Sequence, residues 1–79
     1  MEKTVNKKPL DFNLYKDFGI DQSYSAFEVI ISQIQLHEAD DLETDYQVQR
    51  YKIFHSEILQ NSNGTYDLKL IIAQSSHVF

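Results

Sequence analysis

An Asn-Gly pair that leads directly into an alternating apolar segment is the feature that most restricts the fold of this chain. Asn63 and Gly64 supply the positive backbone φ angles that a β-hairpin turn requires. After them, apolar residues occupy every second position of a predicted strand: Tyr66, Leu68, Leu70 and Ile72. We therefore expect residues 46–59 and 65–74 to pair as an antiparallel hairpin. The competing interpretation is a helix from Thr44 to about Leu59, since Val48 and Tyr51 have helical spacing.

The apolar residues of 25–38 fit both the period of a helix and the period of a strand. As a helix, they place Phe27, Ile30, Ile31 and Ile34 on one side. As a strand, they are supported by a high content of β-branched residues. The fold class predicted is therefore mainly β, an antiparallel meander of three to four strands that contains the hairpin. The alternative is an α+β fold with a helix at about 25–38 packed on the hairpin.

The length of the chain, 79 residues, accommodates one domain. Residues 1–9 are polar and end at Pro9, so we interpret them as a flexible N-terminal arm ahead of a single small domain at 10–79. Domains of this size are marginally stable and often depend on disulfides, metals or self-association. The chain has no cysteine, which leaves a well-packed core, a partner protein or a homo-oligomer.

Charge is distributed unevenly along the chain, whose net charge is −5. The stretch 17–45 has no Lys or Arg, and its last part is expected to form an exposed acidic connector: Glu38, Asp40, Asp41, Glu43 and Asp45. Direct binding of nucleic acid requires clustered basic residues and is not expected. An acidic inhibitor that mimics nucleic acid and occupies a basic groove is one alternative function. The chain shows no membrane-spanning apolar run and no signal peptide, which predicts a cytoplasmic protein.

No motif for catalysis, cofactor binding or metal binding is present in the sequence. Cysteine is absent, and the two glycines do not form a phosphate-binding loop. The spacing of Asp41, Glu43 and Asp45 resembles the start of a calcium loop, but Tyr46 replaces the glycine needed for its turn. The prediction is a non-enzymatic protein without cofactors or metals.

Apolar residues lie on both sides of the predicted hairpin. A strand pair of this kind needs a second covering surface, which a partner protein or another copy of the chain would supply. The partner-binding residues predicted on this basis are Tyr51, Ile53, Phe54, Ile58 and Ile71. The function that follows is a small protein-binding or regulatory module that acts through an apolar sheet face.

The predicted strand order resembles one known family. Strands at about 10–16, 26–38, 46–59 and 65–74, separated by an acidic connector and ending near Val78-Phe79, resemble the β-sheet half of SecB-like export chaperones. The resemblance implies an oligomer that binds unfolded polypeptides along apolar grooves. It makes Tyr51, Ile53, Phe54 and Ile58 groove or oligomer candidates.

Overall fold

The predicted hairpin forms one half of the observed sheet. The protein is described by a computed structural model that covers residues 4–75. Its main elements are five: β1 (Thr4–Pro9), β2 (Tyr24–Ile34), α1 (Glu38–Val48), β3 (Lys52–Gln60) and β4 (Tyr66–Ser75). All four strands form one antiparallel sheet in the order β1-β2-β4-β3. The prediction of a mainly-β antiparallel fold with this hairpin is confirmed.

The ambiguous segment 25–38 is a strand over most of its length. β2 occupies a central position between β1 and β4, where both of its faces are covered and β-branched residues pack well. Near its end a bulge places Gln33 at a φ of 64°. The Gln33 side-chain oxygen accepts hydrogen bonds from Asn63 Nδ2 at 3.1 Å and Thr65 Oγ1 at 3.0 Å. This bulge therefore anchors the hairpin turn to the neighbouring strand.

The hairpin turn has three loop residues and depends on one glycine. Asn61 N–H donates to the Thr65 carbonyl at 2.8 Å, and Gly64 N–H donates to the Asn61 carbonyl at 3.3 Å. Gly64 has a φ of +86°, the left-handed conformation that completes a turn of this type. Of the Asn-Gly pair, only the glycine has a positive φ.

The prediction of a flexible arm is wrong for residues 4–9, which form β1 and pair with β2 from Thr4 opposite Ser32 to Pro9 opposite Phe27. Leu10 N–H donates to the Ala26 carbonyl at 3.0 Å. Since strand residues alternate in direction, Lys8 and Asn6 also point their backbone groups toward β2. The backbone nitrogen of Pro9 faces away from β2. Its lack of an N–H therefore costs no hydrogen bond of the sheet, as is usual for proline on an edge strand. The first three residues and the last four, including Val78-Phe79, lie outside the described residues.

Two further segments differ from the sequence predictions. The predicted acidic connector is helical, because Ala39, Leu42 and Tyr46 provide a short apolar side that packs on the sheet. The acidic residues of its first turn interact favourably with the helix dipole. The predicted strand at 10–16 contains a short 3-10 helix instead, Phe12–Leu14, and a second one, Lys16–Phe18, begins at its end.

The sheet has two covered faces. On the helix face, α1 packs over a buried cluster of side chains from the two central strands: Val29, Ile31, Ile34, Leu68, Leu70 and Ile72. On the opposite face, which we call the segment face, residues 10–20 cover Ala26, Ile71 and Ala73 through Leu10 and Ile20. The chain thereby covers both apolar sides of its hairpin at one end of the sheet.

A Schellman motif ends α1 and directs the chain into β3. Arg50 N–H donates to the Gln47 carbonyl at 3.0 Å, and Tyr51 N–H donates to the Tyr46 carbonyl at 3.0 Å. The rings of Tyr46 and Tyr51 contact edge-to-face at 5.8 Å, which supplies the apolar contact typical of this motif. Arg50 lies at the position where glycine is usual, with a φ of 72°.

We expect Arg50→Gly to stabilise the fold. A side chain in the left-handed conformation costs about 1–2 kcal/mol, of which the greater backbone freedom of glycine in the unfolded chain offsets part. The net gain in the free energy of unfolding is about 0.5–1 kcal/mol, measurable by urea denaturation. Arg50→Ala is the matched control, since it removes the same charge and keeps the strained backbone. Equal stabilities for the two variants would contradict this explanation.

Candidate functional site

Among residues 4–75, the outer edge of β3 is an unpaired row of backbone hydrogen-bonding groups. The Asn61 to Thr65 bond fixes which residues of β3 face β4, because bonding direction alternates along a strand. Leu59, Glu57 and His55 point their backbone groups toward β4. The N–H and carbonyl groups of Ser56, Ile58 and Gln60 therefore point away from the sheet. A row of this kind is a template for another extended chain.

The two edges of the sheet differ in how well they are protected. On the other edge, β1 carries Lys7, Lys8 and Pro9, and both residue types discourage strand addition. β3 has nine residues and no proline, with Lys52 at its start and Glu57 as its one acidic residue. Its bulge at Phe54 lies near that start. The run from His55 to Gln60 is therefore the regular and unprotected part of the edge.

Two large aliphatic side chains are exposed on this run. Ile58 is 43% exposed and Leu59 is 48% exposed. Ile58 lies opposite Leu68 and so points to the helix face, whereas Leu59 lies opposite Asp67 and points to the segment face. An added strand would find an apolar contact on each face of the sheet. This combination of free backbone groups and flanking aliphatic side chains defines the β3 edge as the candidate site.

The structure places four of the five predicted partner-binding residues at or next to β3. Tyr51 immediately precedes the strand, and Ile53, Phe54 and Ile58 belong to it. Ile53 is half-buried on the helix face. Phe54 is half-buried on the segment face, where its ring meets Tyr24 edge-to-face at 6.0 Å. Of these four, Ile58 is the one that is exposed, at 43%.

The fifth residue, Ile71, requires a correction. It has no exposed surface, because Leu10 and Ile20 of the same chain cover it together with Tyr15, Phe18 and Phe54. The second apolar side of the hairpin is therefore covered within the chain at this position. Ile71 is a core residue in this structure and does not belong to the candidate site.

An aromatic cluster fixes the position of Tyr51. Lys7 Nζ donates to the Tyr51 hydroxyl at 3.0 Å and lies 4.5 Å from the centre of the Phe27 ring. The rings of Phe27 and Tyr51 contact edge-to-face at 6.3 Å. These contacts join β1, β2 and the start of β3 across the helix face. Tyr51 thus has a structural role that sequence patterns alone did not reveal.

The five predicted acidic residues lie on α1. Asp40, Asp41 and Asp45 are exposed, and Glu38 and Glu43 are half-buried. The Glu38 carboxylate accepts a hydrogen bond from Gln35 N–H at 2.8 Å. Elsewhere, hydrogen bonds from Ser23 lower the pKa of Asp21. Binding of a basic partner by α1 stays a prediction.

Metal ligands and membrane-spanning helices are not found among residues 4–75. No group of three or more His, Asp or Glu side chains in this range is arranged to hold a metal ion. His55 contacts the Phe18 ring at 5.6 Å, and His77 lies outside the described range. No helix in the same part of the chain has both the length and the apolarity to cross a bilayer.

Two recesses on the surface of residues 4–75 are open. The larger has a volume of about 460 Å³ and lies along the 10–20 segment, with Lys16 as its one charged side chain. A second, of about 270 Å³, lies between β1 and α1, where Lys7 and Asp45 carry opposite charges. Both are lined by side chains that already contribute to the packing described above, such as Tyr15, Ile20 and Leu42.

Comparison with known proteins does not assign the chain to a family. No family model, no curated protein and no solved structure matches it. The resemblance to SecB-like chaperones is therefore neither supported nor opposed, and it stays a prediction from the sequence.

Proposed function

We propose that the protein is a small non-enzymatic protein-binding module that acts through the β3 edge. An extended segment of another polypeptide adds to the sheet beside residues 55–60. Backbone hydrogen bonds to Ser56, Ile58 and Gln60 give affinity, and the side chains that flank them give selectivity. The observation that supports this proposal best is the unprotected edge with exposed aliphatic side chains on both faces.

The edge-strand mode refines the function predicted from the sequence. A partner docked flat on the segment face would compete with the 10–20 segment, which already covers Ile71 and Ala73. Flat docking on the helix face would compete with α1, which covers Leu68 and Leu70. Addition at the β3 edge requires neither element to move. It also removes from water the exposed parts of Ile58 and Leu59, which is favourable by about 25 cal/mol per Å² of apolar surface buried.

Ser56→Pro tests the mode of binding. Its backbone N–H points outward, so proline blocks addition of a strand and leaves the hydrogen bonds between β3 and β4 in place. Val5→Pro is the matched control, because the Val5 N–H points outward on the opposite edge. In capture experiments from a lysate of the source cells, we expect a protein that is retained by the wild type and by Val5→Pro to be lost with Ser56→Pro.

Circular dichroism and thermal melts show whether both variants remain folded. Slow hydrogen exchange at the amides of Ser56, Ile58 and Gln60 in the complex would show that the captured protein adds as a strand. Retention of the same protein by a folded Ser56→Pro variant would contradict binding at this edge.

A further inference from the structure

We propose that the occupant of the β3 edge is a second copy of this chain, paired antiparallel about a two-fold axis at Ile58. This inference rests on the proposed function, because it names the partner of the same edge. An isologous dimer places the same edge on both subunits, so residue i of one copy meets residue j of the other and the reverse. The strand β3 must therefore be compatible with its own reversed sequence.

Geometry limits the pairings to a few. The sheet continues across the two-fold axis only when residues that point to the same face lie opposite each other. The axis must therefore pass between one residue and its own copy, and not between two consecutive positions of the strand. Within the regular run 55–60, the axis can lie at Ser56, Glu57, Ile58 or Leu59. An axis at Ser56 extends the pairing into the bulge at Phe54, where the ladder is interrupted. An axis at Leu59 shortens the pairing toward the hairpin turn.

Charge decides between the remaining two pairings. An axis at Glu57 places this carboxylate directly opposite the same carboxylate of the second copy, which is destabilising. An axis at Ile58 places Ile58 opposite itself, Ser56 opposite Gln60 and Glu57 opposite Leu59. In this register the outward backbone groups of Ser56, Ile58 and Gln60 all meet outward groups of the second copy. The two exposed isoleucines bury each other on the helix face.

The dimer formed in this way is weak and strengthens with salt. A pairing that covers residues 56–60 of each copy buries less surface than the standard interface of a stable complex. Each chain also carries a net charge of −5, so two copies repel each other at low ionic strength. Raising the salt concentration screens this repulsion and shifts the equilibrium toward the dimer. Binding of a basic partner by α1 would show the opposite salt dependence.

Single-cysteine variants test the register directly, because the chain has no cysteine of its own. Ser56→Cys, Glu57→Cys, Ile58→Cys and Leu59→Cys each report one position of the axis. Only the residue on the axis meets its own copy, with Cα atoms about 5.5 Å apart, which lies within the range for a disulfide. Val5→Cys, at the 59% exposed Val5 of β1, reports the rate of random collision.

Under mild oxidation at high protein concentration, we expect Ile58→Cys to form a disulfide-linked dimer at least about tenfold faster than the other variants, including the Val5 control. Sedimentation equilibrium of the wild type is expected to show a monomer–dimer equilibrium that shifts toward dimer with salt. The fastest disulfide at another β3 position would overturn the register. Wild-type protein that remains monomeric at high concentration and salt would overturn self-pairing.

The two proposals fail separately. If the wild type stays monomeric while the β3 edge still captures another protein in a manner that Ser56→Pro abolishes, the second copy is the wrong occupant and the proposed function stands. If both the dimer and the Ser56-dependent capture are absent, the proposed function is wrong as well.

Discussion

Replacing Ile71 with alanine is expected to lower the free energy of unfolding by about 2–5 kcal/mol. The side chain has no exposed surface and lies on a central strand, where it contacts the residues of the 10–20 segment. The smaller side chain loses the transfer free energy of the deleted groups and leaves a cavity that a central strand cannot close. A chain of this length has a total stability of roughly 4–12 kcal/mol, so the variant loses a large share of it.

Urea denaturation of Ile71→Ala and of Ile58→Ala provides the measurement and its control. Ile58 is 43% exposed, and its truncation is expected to cost less than about 1 kcal/mol. The sequence alone assigned both residues to partner binding, so the pair separates the two roles. A loss below about 0.5 kcal/mol for Ile71→Ala would place this side chain at the surface and contradict the packing of the 10–20 segment against it.

The hairpin was predictable because its signals are local and agree with each other. The Asn63-Gly64 pair and the alternation from Tyr66 to Ile72 both indicate a hairpin, and the structure has it, with a three-residue loop that pairs Asn61 with Thr65. The strand at 24–34 was predictable only as one of two options. Its central place between β1 and β4 decides the outcome, and sequence periodicity does not contain that information.

Neither the helix α1 nor the strand β1 was predicted, because neither has a strong hydrophobic pattern. α1 has few apolar residues, and its strongest stabilising feature is the fit of Ala39, Leu42 and Tyr46 against a sheet that the sequence did not locate. β1 has exposed side chains throughout, so it leaves no hydrophobic pattern at all. Its stabilisation comes from backbone pairing with β2 and from the contacts of Lys7 and Lys8, and neither gives a hydrophobic pattern. Sequence patterns report buried side chains and are insensitive to both cases.

The sequence prediction and the structure place the candidate site in the same part of the chain but describe it differently. Residues 51–58 were selected because apolar side chains lie on both sides of a strand. Which of these side chains remain exposed depends on the 10–20 segment and on α1, and neither was assigned to cover the sheet. The free backbone edge depends on strand order, because β4 and not β3 occupies the centre. Tertiary arrangement therefore changed the interpretation from a face to an edge.

Asn6→Pro is expected to destabilise the protein by about 2–3 kcal/mol, because the Asn6 N–H points toward β2 opposite Ile30. Proline removes that donor, leaves the carbonyl opposite without its partner and introduces a ring into the space between two strands. Val5→Pro changes the neighbouring residue, whose N–H points to solvent, and is expected to cost less than about 1 kcal/mol. If residues 4–9 were a flexible arm, neither substitution would change the stability.

Hydrogen exchange separates a local loss of β1 from a general weakening of the fold. The amides of Glu28 and Ile30 point toward β1, whereas those of Val29 and Ile31 point toward β4. Detachment of β1 by Asn6→Pro is expected to accelerate exchange at Glu28 and Ile30 and to leave Val29 and Ile31 protected. It would also expose the apolar strand β2 as a new edge, without the protection that Lys7, Lys8 and Pro9 give to this side. Asn6→Pro should therefore aggregate at concentrations where Val5→Pro does not, and equal behaviour of the two variants in both measurements would contradict the pairing of β1 with β2.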